Sequence, residues 1–308
     1  MVHKLLKYGI EIIQQLHNGI LGGPYQCNFS ITLDSGLFDI SIEQFGIRKI
    51  TITTESIIES AIFIKLFDKL DMLIMLGEGH FIPIAESKII TNGIAIKSDD
   101  LTQKMTRRLK LFNSADFTIG SHSTFLSFNK YLDKDVFIRW IAMIKELDIL
   151  HRMVLYSMAD TGMPIDCKSA FLIESFEALS ELIELYDPSF KRPMVKKGES
   201  KLGKYLYAII EKYGTDIFLN ETKADLQKVI EVFVNSRNRI AHIKSKQGKK
   251  YLNGEESVLY AIKLSFLYRN VLLILLGVDY STYSSVIIKS VDDWNNWNGV
   301  LNNFLARI

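Results

Sequence analysis

The stretch that decides the fold is NETKADLQKVIEVFVNSRNRIAHIKSK, Asn220 to Lys246. Val229, Ile230, Val232, Phe233, Val234, Ile240 and Ile243 recur at helical spacing and commit the segment to a core. Asn220 or Thr222 serves as N-cap. At 3.6 residues per turn, Asn238 and His242 lie one turn apart on the same face. Arg237 adjoins Asn238, so one helix presents a guanidinium, an amide and an imidazole together. Arg offers a planar, permanently charged fork for phosphate oxygens, and His exchanges a proton near neutral pH. Asn orients either group or the substrate.

From Arg237 to Lys250 the chain carries Arg237, Arg239, Lys244, Lys246, Lys249 and Lys250 and no acidic residue. A local positive patch of this kind suits a polyanion. The competing reading is a basic last turn favoured by the helix dipole, with His242 an ordinary surface residue. Composition and spacing by themselves favour that second reading.

Outward from this segment the helical period continues. Asp133 to Asp160 runs without Pro or Gly and carries an apolar stripe. CKSAFLIESFEALSELIELYD is a second helix closed by Pro188, and PSFKRPMVKKGESK reads as an exposed connection. KLGKYLYAIIEKYG is a shorter helix, and GEESVLYAIKLSFLYRNVLLILLGV ends at Gly277. Such a set of helices with modest loops implies a bundle. The tail beyond Tyr280 packs on either domain, and its Trp294/Trp297 pair reads as tail packing more readily than as a base-stacking platform.

The N-terminal part has a different period. Cys27, Phe29, Ile31 and Leu33 alternate with polar residues, Asp34–Gly36 reads as a turn, and Phe38, Ile40 and Ile42 repeat the alternation as a hairpin. RKITITT is a third strand and Glu55–Lys69 a helix. MLIMLGEGHFIPIAESKI reads as strand and turn, and RRLKLFNSADFTIG as a further strand pair. The expected fold is α+β: a β-rich mixed domain over 1–130, for sensing or substrate guiding, then an all-α bundle with a C-terminal tail over 131–308.

The bulk composition excludes several classes. The 308 residues are 48% apolar and 23% charged, with a formal net charge of +2, so nucleic-acid binding must come from local clusters. Cys27 and Cys167 fit no paired spacing and read as reduced cytosolic thiols. No two of His3, His17, His80, His122, His151 and His242 have helical metal-ligand spacing, so no metal and no cofactor are expected. His151, after an apolar run, reads as a core residue. Asp99–Asp100 and Asp292–Asp293 read as solvated loops, and GEGH as no phosphate loop. Lys4, Lys7 and Glu11 interrupt the N-terminal apolar run, which argues against a signal peptide. VLLILLGV, Val271 to Val278, falls short of the roughly 20 residues that cross a bilayer. These features predict a cytoplasmic protein without a membrane partner.

RNRIAH resembles the signature of the HEPN superfamily, in which Arg, a polar residue, a short spacer and His follow one another late in the fourth helix of a bundle. FVNSRNRIAH, the helix ending VLLILLGVD, and FLIESFEAL with its embedded Glu177 look like the ApeA-type HEPN group. The resemblance covers roughly Asp133 to Asp279 and implies a metal-independent endoribonuclease of antiphage, abortive-infection or toxin systems. It implies that His242 acts as general base or acid, Arg237 steadies the phosphate charge and Asn238 positions either, with Glu177 in support. Arg239, Lys244 and Lys246 would bind RNA, tRNA or mRNA, in a homodimer answering to a phage-derived trigger or regulatory protein. Lys244 replaces the Tyr that the nucleotidyltransferase-regulated toxin branch carries at that position, which argues against that regulation. The alternative is a non-catalytic HEPN scaffold for RNA binding or protein interaction.

Overall fold

In the computed structural model of the protein, residues 7–16, 24–79, 82–108, 124–158, 163–242 and 248–308 are described. They form two compact units: the described residues of 1–117 with Leu126–Ala142, and those of 118–125 with Met143–Ile308.

The first unit is built on one six-stranded sheet of order β2-β3-β4-β1-β5-β6, antiparallel throughout. Its strands are β1 (Tyr8–Gln15), β2 (Tyr25–Leu33), β3 (Gly36–Phe45), β4 (Ile47–Thr54), β5 (Ile84–Thr91) and β6 (Ile94–Lys97). The hairpin expected at Asp34–Gly36 is present, with Leu33 opposite Gly36. Asn92 and Gly93 turn β5 into β6, both with positive φ (55° and 77°), as a two-residue hairpin loop demands.

One sheet face is apolar and covered. Ile10, Ile12, Phe38, Ile40, Ile42, Ile50 and Ile52 are all buried. The covering helix α1 (Ser60–Glu78) places Phe63 edge-on to Phe38, ring centroids 5.8 Å apart. Sequence reading ended this helix at Lys69 and took the following residues as strand. A short, fully buried apolar run has the same composition in either state, and here Leu73 to Leu76 are buried as helix. The strands that periodicity missed are β1 and β6; the inward positions of β1 are Ile10, Ile12 and the polar Gln14.

Asp99 and Asp100, expected in a loop, open helix α2 (Asp99–Arg108), where carboxylates suit the helix N-terminus. The rest of the strand pair expected over 107–120 lies outside the described residues. Leu126–Ala142 joins the sheet unit through real contacts. Phe137 meets Phe29 at 5.7 Å, Trp140 Nε1 donates to Lys69 O at 2.7 Å, and Tyr131 Oη donates to Leu73 O at 2.9 Å. Gly77 is required there, since a Cβ would stand 2.5 Å from the Tyr131 ring.

A buried polar cluster lies in this unit. Arg48 Nη2 donates to both carboxylate oxygens of Glu78, at 2.8 and 2.7 Å, and its Nε donates to Gln44 Oε1 at 2.9 Å. Gln14 Nε2 donates to Asp71 Oδ1 at 2.9 Å and to Ile82 O at 3.1 Å. Burial pushes the Asp71 carboxyl up to about 6, against the hydrogen bond from Gln14 and the charge of Arg48.

The second unit is helical. It contains the end of α3 (Lys134–Met158), then α4 (Ile165–Tyr186), α5 (Lys201–Tyr213), α6 (Lys223–His242), α7 (Gly254–Leu275), α8 (Ser284–Asn295) and α9 (Val300–Arg307). Thr222 caps α6 through Asp225 N at 3.2 Å, and Ser200 caps α5 through Gly203 N at 3.1 Å. Asn253 and Glu256 form a capping box on α7. The connection before α5 is pinned rather than free: Phe190 is buried, and Arg192 reaches Glu181 and Glu184. Asp292 and Asp293, expected in a loop, lie on α8, and the tail packs on α7, Phe304 against Tyr260 at 5.1 Å. His151 is buried, its Nδ1 3.0 Å from Tyr268 Oη, and desolvation pulls its pKa down to about 3.

The whole of α7, beyond the short run noticed in sequence, is long and apolar enough by length and composition to cross a membrane. Within the protein, 89% of its most apolar window is buried. Lys263 and Glu221 pair there at 2.7 Å with both side chains fully buried.

Two stability predictions follow from these buried groups. Asp71 has a higher pKa folded than unfolded, so the folded chain holds its proton longer and stability falls as pH rises from about 4 to about 6. Asp71→Asn should flatten that decline and raise stability at pH 8 by up to about 3 kcal/mol, measured by urea unfolding at both ends of the range. Glu221→Gln leaves the Lys263 ammonium buried without its counter-charge and should cost about 3–5 kcal/mol in the same assay. Joint replacement of both residues by apolar ones should cost much less.

Candidate active site

The helix that carries Arg237, Asn238 and His242 has two parts. Leu226, Val229, Ile230, Val232 and Phe233 are buried; from Val234 onward every residue is half-buried or exposed. Ile240, read from sequence as a core position, is half-buried, and Ile243 lies outside the described residues. The hydrophobic face therefore ends before the polar triplet begins. The triplet sits on a helix that the core holds firmly at its other end.

Arg237 is half-buried and forms an ion pair through Nε with Glu174 on α4. Its Nη1 donates to Asn238 Oδ1 at 2.8 Å, so two of the three expected groups touch. Glu174 raises the Arg237 pKa through that hydrogen bond, against partial burial, with a smaller charge contribution from Glu177. His242 is exposed at the end of α6, one helical turn beyond Asn238. The helix geometry therefore gives the Arg–Asn contact and leaves the imidazole open on the same flank.

The supporting glutamate is divided between two residues. Glu174 makes the direct bond, while Glu177 pairs with Lys201 at 2.8 Å and acts on Arg237 only through its charge. Sequence reading singled out Glu177 alone. The pair Glu174/Glu177 at three-residue spacing, one helix turn on α4, was the available signal for the other.

The basic run is less open than its composition suggests. Arg239 is exposed, with its guanidinium 5.3 Å from the Tyr251 ring centre. Lys249 pairs with Glu231 at 3.1 Å, and Lys250 donates to the carbonyls of Arg307 and Ile308. Lys244 and Lys246, expected to bind RNA, lie outside the described residues. Among the described residues, no group of three or more His, Cys, Asp or Glu side chains is placed to hold a metal ion.

Ser236 ties this region together. Its Oγ donates to Val232 O at 2.8 Å and accepts from Leu252 N at 2.8 Å, which anchors the chain leading into α7 beside the triplet. Ser236→Ala orphans the Leu252 N–H and should lower stability by about 1–2 kcal/mol, read as a reduced urea midpoint. Ser236→Thr, which keeps the hydroxyl, should recover most of it.

Residues 168–282 match the family model described as Apea-like HEPN, a span that contains α5, α6, α7 and nearly all of α4. No curated protein and no solved structure matches the chain. Arg237, Asn238, His242 and Glu174 all fall inside the matched span. Over residues 168–282, this chain is similar to Apea-like HEPN domains.

Proposed function

We propose that the protein is a metal-independent endoribonuclease acting in an antiphage, abortive-infection or toxin role. The observation that carries this reading is the grouping of Arg237, Asn238 and His242 on the partly open end of α6, within the span similar to HEPN domains. In the proposed reaction, His242 removes the proton of an RNA 2′-hydroxyl. The 2′-oxygen then attacks the adjacent phosphorus, and the 5′-oxygen leaves and takes up a proton. The products are a 2′,3′-cyclic phosphate and a free 5′-hydroxyl. Arg237, held by Glu174 and Asn238, stabilises the charge that grows on the phosphoryl oxygens. DNA, which lacks the 2′-hydroxyl, is excluded as substrate.

A single site offers one imidazole, whereas the reaction needs a base and an acid. A two-fold homodimer that brings two copies of α6 together supplies both. The partly exposed apolar residue Ile240, at the end of α6, supports such an interface. The sheet unit then serves to sense a trigger or guide substrate, and the cytoplasm holds both enzyme and RNA.

The Arg237–Glu174 ion pair also favours a second reading, a non-catalytic HEPN scaffold, because it partly neutralises the guanidinium. The two readings differ in a direct assay. Wild-type protein incubated with tRNA and mRNA in EDTA should leave 2′,3′-cyclic ends. His242→Ala should lose at least about a hundredfold in rate, and Arg237→Ala a similar amount. Equal cleavage by wild type and His242→Ala, or cleavage only with added metal, would exclude the mechanism. RNA binding without cleavage, together with expression toxicity unaffected by His242→Ala, would leave the scaffold.

A further inference from the structure

A cleft of about 430 Å³ opens between α5 and α6, outside the Arg–Asn–His triplet. Tyr207 and Gly203 line it from α5; Gln227, Ile230 and Val234 line it from α6. These α6 positions fall on the helix face that carries Asn238 and Ala241 one and two turns further on. Val234 and Asn238 are one turn apart, about 6 Å along the axis. The cleft and the triplet therefore form one continuous strip of α6.

The chemistry of the walls narrows what fits. Both acidic side chains at the rim are already paired, Glu199 with Lys204 at 3.0 Å and Glu231 with Lys249 at 3.1 Å. Glu199 also accepts from Lys196 N at 2.9 Å. Those pairings leave neither a cation site nor a strong phosphate site in the cleft. What remains is an aromatic ring on one helix, aliphatic side chains on the other, and the exposed Gln227 amide, which both donates and accepts. A flat, uncharged, polar-edged ring is complementary to that set. Ring faces stack between aromatic and aliphatic walls, and an amide reads the edge.

We propose that this cleft binds one unpaired base of the RNA substrate, next to the nucleotide whose phosphate lies at Arg237. The inference rests on the ribonuclease reading and gives it a source of sequence preference. Tyr207 supplies the stacking surface, Ile230 and Val234 the opposing wall, and Gln227 the discrimination among bases. The division of labour follows charge: the guanidinium takes the anionic backbone, and the neutral cleft takes the base.

The test is equilibrium binding of fluorescein-labelled single-stranded oligo-A, oligo-U and oligo-C, followed by anisotropy in a His242→Ala background so that no cleavage intervenes. Tyr207→Ala should weaken the preferred oligonucleotide about tenfold and level the differences among the three, while Tyr207→Phe keeps both affinity and preference. Gln227→Ala, at an exposed position that does not threaten folding, should change the order of preference. If RNA binds and neither Tyr207→Ala nor Gln227→Ala alters affinity or order, the cleft assignment is overturned and the ribonuclease reading stands. If RNA does not bind and the wild type does not cleave it, both fall. Nucleoside monophosphates that bind the cleft as tightly as RNA does, with the same loss in Tyr207→Ala, would overturn the assignment to an RNA base in favour of a free nucleotide.

Discussion

The helical unit depends on a helix with almost no solvent side. From Glu256 to Leu273 every residue of α7 but one is buried, so its polar groups can be accommodated only by partners inside the protein. Each neighbour supplies one. Glu221, before α6, takes Lys263; the α5 terminus receives Asn270 through Tyr213 O at 2.8 Å; Tyr283, before α8, donates to Asn270 at 2.9 Å. Arg307 on α9 takes Glu256, and Asp166 on α4 accepts from Ser257 at 2.8 Å. These contacts are directional, so they specify where the surrounding helices stand. Apolar burial alone would allow them to slide.

That arrangement explains how the end of α6 can be exposed yet held. The first part of α6 is locked by Val229, Ile230, Val232 and Phe233, while its end projects beyond the core. Ser236 then ties the end to the segment before α7, and Glu174 on α4 holds Arg237 from the side. Arg237 is therefore preorganised by an ion pair and by its own neighbour Asn238. The imidazole of His242, further along, is left accessible. A site positioned on a rigid helix keeps its geometry better than one on a loop, and the two-part character of α6 provides that.

Much of this was legible in the chain. The bundle helices, the Thr222 cap, the β2–β3 hairpin and the core placement of His151 follow from periodicity, capping chemistry and apolar context. Each misread part has its own local cause. In α1, Leu73 to Leu76 form a continuous apolar run, and such a run looks alike as buried helix or buried strand. In β1, the inward position Gln14 is polar, so the alternation is broken where the buried cluster with Asp71 requires it. Asp99–Asp100 and Asp292–Asp293 looked like loops because carboxylate pairs favour solvent, which a helix surface offers equally well.

The sequence by itself determined the class of each half, the helix that bears Arg237, Asn238 and His242, and the common face of Asn238 and His242, because these depend on local periodicity. Tertiary structure decided which glutamate meets Arg237, that Lys249 and Lys250 are tied into the fold, and that a cleft opens beside Val234. Those facts depend on which helices become neighbours, and at what register. That is settled by the packing of side chains far apart in the chain, which no local spacing encodes.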